Sequence, residues 1–172
     1  LAQGQLAVLA AECAEAGLDA QRTVDLIEEQ TLVTTSYVVL NDLRFATRGG
    51  RLPLWVKTIA DALRLTPIIY SSQEGKLRLS GGLFGRRNVI RRFARHVAKR
   101  APAGPVEIGV GHAVCENDAK ELERQLQEMI PDIRRSGITG ISPAIGVHAG
   151  PQALLVAIKP WLSPEDIASR GN

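Results

Sequence analysis

A chain of 172 residues has material for one good hydrophobic core and little more. Its 45% hydrophobic and 23% charged content is that of an ordinary globular protein, and it excludes disordered, collagen-like and disulfide-scaffold classes. The net charge of +3 conceals an asymmetry: between Glu74 and Glu107 there is no acidic residue, whereas Lys76, Arg78, Arg86, Arg87, Arg91, Arg92, Arg95, Lys99 and Arg100 all fall there.

From the start of the chain, Leu6, Leu9, Ala10 and Cys13 form an apolar stripe at helical spacing, and Gly17 ends that helix. A second helix runs from Asp19 or Ala20 to Gln30. The pattern changes near Thr31, which predicts a helical unit over residues 1–35 and a main domain over 36–172. Tyr37 to Leu40 is a β-branched strand, and Asn41 or Asp42 caps a short helix that ends at the Gly49-Gly50 turn. Pro53 suits the first turn of a helix reaching about Leu63. Thr66 to Ser71 and Lys76 to Phe84 read as strands joined at Gln73-Glu74-Gly75.

An arginine-rich helix is predicted from Gly85 or Arg86 to Arg100, closed by Pro102 and Pro105. Val106 to Val114 reads as a strand and Glu116 to Ile130 as an amphipathic helix stopped by Pro131. Gly140 to Val147 and Ala153 to Ile158 are expected as the last two strands, and Ser163-Pro164-Glu165 opens a short terminal helix. The order predicts an α+β fold, a two-layer sandwich with a mixed sheet covered by helices.

Two segments stand out chemically. In Gly146-Val147-His148-Ala149-Gly150-Pro151 a histidine is set among small residues, on a tight turn expected between two strands. In Arg48-Gly49-Gly50-Arg51 a glycine pair places an arginine beside unpaired backbone N–H groups, an arrangement suited to anions. Arg51 offers a planar fork that matches a carboxylate bidentately. Arg86 and Arg87, expected to open a helix at a Gly turn, form a further anion candidate. Cys13 and Cys115 lack zinc-ligand spacing, His96 and His112 lack metal-like companions, and no serine or cysteine nucleophile stands beside a base in a recognisable motif. No apolar run reaches the ~18 residues of a membrane span, and the first residues lack a basic leader, which together predict a cytoplasmic location.

Taken in order, "LRFATRGGRLP", "LRLTPIIY", "LFGRRNVIRR" and "GVHAGPQAL" resemble the motif series of the DegV family of bacterial fatty-acid-binding proteins. "QGQLAVLAAECAEAGLDA" is similar to the family's helical stretch just before its C-terminal lobe, so the resemblance covers nearly the whole chain. Ala149, Gln152 and Thr66 depart from the family's usual threonine, glycine and lysine. The chain begins at Leu1 and lacks the Asp- and Ser/Thr-rich motifs of the family's N-terminal lobe. It is therefore expected to be the C-terminal lobe, preceded by two helices from the missing N-terminal lobe.

The resemblance implies a non-catalytic protein that holds a long-chain fatty acid such as palmitate or oleate in an apolar tunnel between two lobes. Arg51, His148 and Arg86 would lie near the carboxylate, with Gly49, Gly50, Gly150 and Pro151 as supporting turns. No cofactor or metal is implied. The implied partners are the acid itself and a fatty acid kinase catalytic subunit; the charge of the arginine-rich helix adds transient contact with an anionic membrane as a further expectation. The alternative from the residues alone is a nucleic-acid-binding module using the arginine-rich helix 86–100. It lacks the interleaved aromatics that such modules use.

Overall fold

The computed structural model describes every residue except Gln73, Glu74, Arg86 and Asn172. Two helices come first, α1 (Ala2–Glu15) and α2 (Ala20–Val33). Asp19 caps α2 by accepting a hydrogen bond from the Arg22 backbone N–H at 2.8 Å. Leu9, Cys13, Leu18 and Leu26 bury together with Ile167 from the far end of the chain.

The order then runs β1 (Thr35–Val39), α3 (Leu43–Arg48), α4 (Leu54–Ala62), β2 (Leu65–Ser71), β3 (Leu77–Phe84) and α5 (Val89–Ala98). It continues with β4 (Val106–His112), α6 (Glu116–Met129), β5 (Ile133–Gly140), α7 (Pro143–Ala149), β6 (Leu154–Pro160) and α8 (Pro164–Ser169). The six strands form one sheet in the order β3-β2-β1-β6-β4-β5, antiparallel throughout except for the parallel β4–β5 pair. Apolar residues dominate β4 and β6, and these strands occupy central positions where both faces are covered.

On one face α5 and α6 bury Phe93, Val97, Leu122 and Leu126 against Val106, Ile108, Val110, Val156 and Ile158. Burying a side chain of this kind stabilises the fold by roughly 1.5–3 kcal/mol. This is the α+β fold with a mixed, helix-covered sheet that the sequence predicts. The opposite face carries a smaller cluster in which Leu43, Ala46, Ala60, Ala149 and Ala153 gather around Ile69.

The sheet's parallel edge differs from expectation. Residues 133–140 form the strand, and the expected strand Gly140–Val147 is replaced by α7. Pro143 sits in the first turn of that helix, where its missing N–H costs nothing. The Ile145 and Gly146 N–H groups both reach the Ser142 carbonyl, at 3.0 and 2.9 Å. Residues 133–140 carry two arginines and two glycines, and an edge strand tolerates them because only one side is paired.

The arginine-rich helix also begins later than predicted, at Val89 behind Asn88, whose φ is 52°. It ends at Ala98. Gln73 and Glu74 of the predicted β2–β3 turn lie outside the described residues, and Gly75 takes the φ of +72° that closes it.

Candidate functional site

The loops after β1, α7 and β4 meet at one end of the sheet. Asn41 Nδ2 donates to Gln152 Oε1 at 2.8 Å, and the Ala113 and Gln152 backbones exchange bonds with Ala153 and Ala113. Asp42 caps α3 by accepting from the Arg44 N–H at 2.9 Å, and its carboxylate also pairs with the Arg44 guanidinium. That hydrogen bond to Arg44 holds the Asp42 carboxyl below its ordinary range. Leu43 and Ala46 bury one face of α3, which fixes where its end points.

That end is the glycine pair. Gly49 continues the helical turn, Gly50 takes a φ of +68°, and Arg51 N–H returns to the Ala46 carbonyl at 2.9 Å. His148, in the last turn of α7, rests directly on Gly49. A Cβ on Gly49 would stand 2.0 Å from His148 Nδ1, so no other residue fits there with the imidazole in this position. Arg51 Nη1 donates to the carbonyl of the same glycine at 3.3 Å. The two motifs, about 100 residues apart in sequence, thus converge on one backbone unit. His148 Nδ1 is buried and has no hydrogen-bond partner, whereas Arg51 is exposed.

Gly150 locks the arrangement. Its φ of 74° and ψ of 170° belong to a region that essentially only glycine enters, and a Cβ there would lie 2.5 Å from Phe45 Cδ2. Phe45 of α3 therefore packs onto the exit of α7. His148 lies on a helix and not on the inter-strand turn expected, because residues 143–149 coil. Pro151 follows Gly150 and is exposed. Arg86 lies outside the described residues. Its neighbour Arg87 is exposed, and Arg92 ties the region down by donating to the Phe84 and Arg87 carbonyls at 2.7 and 3.3 Å.

A groove of about 550 Å³ opens on the sheet face beside α7. Val8, Ile138, Ile141, Ile145 and Leu155 wall it, and a Cβ on Gly137 in its floor would meet nothing within 4 Å. A second hollow, of about 650 Å³, is lined by Asp42, Arg44, Lys57 and Asp61. Those charges already pair with one another, Arg44 with Asp42 at 2.6 Å and Lys57 with Asp61 at 2.5 Å.

The remaining histidines have structural roles. His96 Nε2 contacts Ser80 Oγ at 2.8 Å, a hydroxyl–imidazole pair. Arg100 Nη1, which can only donate, faces Nδ1 at 3.4 Å, so Nδ1 accepts and Nε2 carries the hydrogen. An imidazole held that way cannot take the serine proton. Burial first, and then Arg100, push its pKa below the ordinary value. His112 Nδ1 accepts from the Cys115 N–H at 3.3 Å. Among the described residues no group of three or more His, Cys, Asp or Glu is placed to hold a metal.

Sequence reasoning selected Gly49, Arg51 and His148 but missed Phe45 and the Asn41–Gln152 contact. Nothing in local spacing signals pairs so distant in the chain.

Residues 1–160 match the protein-family model described as an uncharacterised protein of the DegV family. The chain is 28% identical over 158 residues to a DegV domain-containing protein of Streptomyces coelicolor, covering 92% of this chain and 56% of that one. It spans about half the length of the curated relatives it matches. Among solved structures it is similar to a fatty acid binding DegV family protein from Streptococcus agalactiae, with a TM-score of 0.78, 25% identity, and coverage of 93% of this chain and 56% of that one. The fold is also that of the Streptococcus pneumoniae Fatty Acid Kinase (Fak) B3 protein loaded with linoleic acid, at a TM-score of 0.79 and 20% identity, covering 90% of this chain and 54% of that one.

Proposed function

Because this chain belongs to the DegV family, we propose that it binds a long-chain fatty acid and presents the carboxylate to a partner kinase for phosphorylation, without being an enzyme itself. The observation that carries the reading is the convergence of Arg51 and His148 on Gly49. A guanidinium fork and an imidazole donor on one glycine suit a carboxylate, and each hydrogen bond to a charged group contributes about 1.5–3 kcal/mol. Arg86 is assigned as a third contact on sequence grounds alone.

The apolar groove beside α7 supplies a wall for the acyl chain, as small-ligand sites pair apolar walls with few polar anchors. The other wall, and further anchors for the carboxylate, would come from a second lobe, of which residues 1–35 would be a helical remnant. The solved relatives described as fatty-acid-binding, and the one described as a fatty acid kinase component, support ligand and partner class. A cytoplasmic location is part of this proposal; among the described residues no helix is long and apolar enough to cross a membrane.

The test is native mass spectrometry of the protein expressed in bacteria from its complete reading frame. Co-purified mass of palmitate or oleate is the expected result. A protein that emerges lipid-free, and stays so when offered either acid, overturns the reading.

A further inference from the structure

The groove beside α7 has a polar far end. Gln5, on α1, is 8% exposed and lines the groove, yet neither its Nε2 nor its Oε1 has a hydrogen-bond partner. Glu107, at the start of β4, lines it as well and is 4% exposed. Its Oε2 stands 3.2 Å from Lys159 Nζ and 3.6 Å from Arg135 Nη1, charge contacts that lack hydrogen-bond geometry. Burying polar atoms unpaired costs free energy, so such atoms gathered at one hollow mark a place for a hydrogen-bonding guest.

Charge decides what kind of guest. Arg135 also pairs with Glu12 and lies over the Trp161 ring at 4.5 Å. Glu12 and Glu107 therefore balance Arg135 and Lys159, two anions against two cations. A further full charge would be left uncompensated in a half-dry site. A hydroxyl is neutral and both donates and accepts, which matches a carboxamide without partners and a carboxylate oxygen whose ion pairs leave it without a hydrogen bond.

Length agrees. From His112, beside α7, back to Glu107 is five strand residues, about 17 Å. An acyl chain fills one leaflet of a ~30 Å hydrocarbon core, roughly 15 Å even when disordered, and an extended chain reaches further, which covers the strand and the helical turn beyond it. His148 lies one helical turn beyond Ile145, which walls the groove. A carboxylate held at His148 would thus leave the chain end near Gln5 and Glu107.

We propose that the ligand class includes fatty acids hydroxylated near the methyl end, with the hydroxyl received by Gln5 and Glu107. This rests on the fatty-acid reading above. The test compares octadecanoate, 18-hydroxyoctadecanoate and octadecanedioate by titration calorimetry, on the protein from its complete reading frame and on its Gln5→Leu variant. The hydroxy acid should bind about fivefold tighter than octadecanoate, the ratio that one net hydrogen bond supplies. The diacid should bind no tighter than octadecanoate.

Gln5→Leu should abolish the preference, so that hydroxy acid and octadecanoate bind the variant equally, and leave the melting temperature unchanged or higher, since it removes a buried unpaired amide. Octadecanoate bound as tightly as the hydroxy acid, or a preference that survives Gln5→Leu, overturns this proposal alone. A diacid that binds tightest makes the groove end an anion site and overturns it too. Binding of none of the three overturns both readings.

Discussion

At Gly49 a single hydrogen in place of a methyl group lets two distant motifs touch. Gly49→Ala should therefore move the His148 imidazole off its seat while leaving every polar group in the protein. We expect it to weaken fatty-acid binding about as much as deleting the imidazole, and calorimetry of the two variants side by side checks this. Alanine at 49 with full affinity would mean that the imidazole position is immaterial. His96 yields a second prediction. Its pKa is lowered in the fold, so the unfolded chain takes up a proton first as pH falls below the ordinary value near 6.5. The stability it contributes is present above that pH and is lost as pH falls through the lower folded value. Thermal melts of the parent from pH 7.5 to 5 should decline more steeply than those of His96→Gln. Parallel curves would contradict this.

Among elements, α7 shows where sequence reasoning succeeded and where it failed. The six apolar or small residues around His148 read equally as a strand or a short helix, because a run of that length has too few periods to choose. Proline at 143 and the Ser142 carbonyl settled it as a helix. The polar, glycine-bearing β5 was missed because its position at the sheet edge, set by distant β4, excuses its composition. By contrast β4, β6, α5 and α6 were legible from their apolar patterns, since each buries what its period places inward. For the site, the residues at the glycine pair and around His148 were legible as chemistry, but their contact was not, because it depends on Phe45 and Gly150 packing across two helices. Gly150→Ala should thus cost about 1–3 kcal/mol of stability through its φ and the Phe45 clash, read as a lowered melting temperature. An unchanged melt would show that α3 and α7 are joined some other way.

For the whole molecule, the chain's share of its relatives' length shapes expectation. The apolar groove and the exposed Leu54, Trp55 and Val147 leave much apolar surface open to water. We predict that the 172 residues alone melt cooperatively, because the sheet and its helices form a core of their own. They should bind fatty acids weakly and dimerise through the face bearing Arg51 and His148. Sedimentation together with calorimetry tests this, and a monomer with high affinity would mean the binding site is complete within this lobe. The cations of α5 bear on a separate matter: if Arg91 and Arg95 serve nucleic acid, affinity for DNA or RNA should fall steeply with salt. Absence of binding at low salt removes that alternative.

The most direct measurement is calorimetric titration of palmitate into the protein from its complete reading frame and into its Arg51→Ala and His148→Ala variants. Each substitution should weaken binding by about 1.5–3 kcal/mol, the loss expected when a hydrogen bond to a charged group is removed. Palmitate bound by both variants as tightly as by the parent would contradict this, and would mean that the carboxylate is anchored elsewhere.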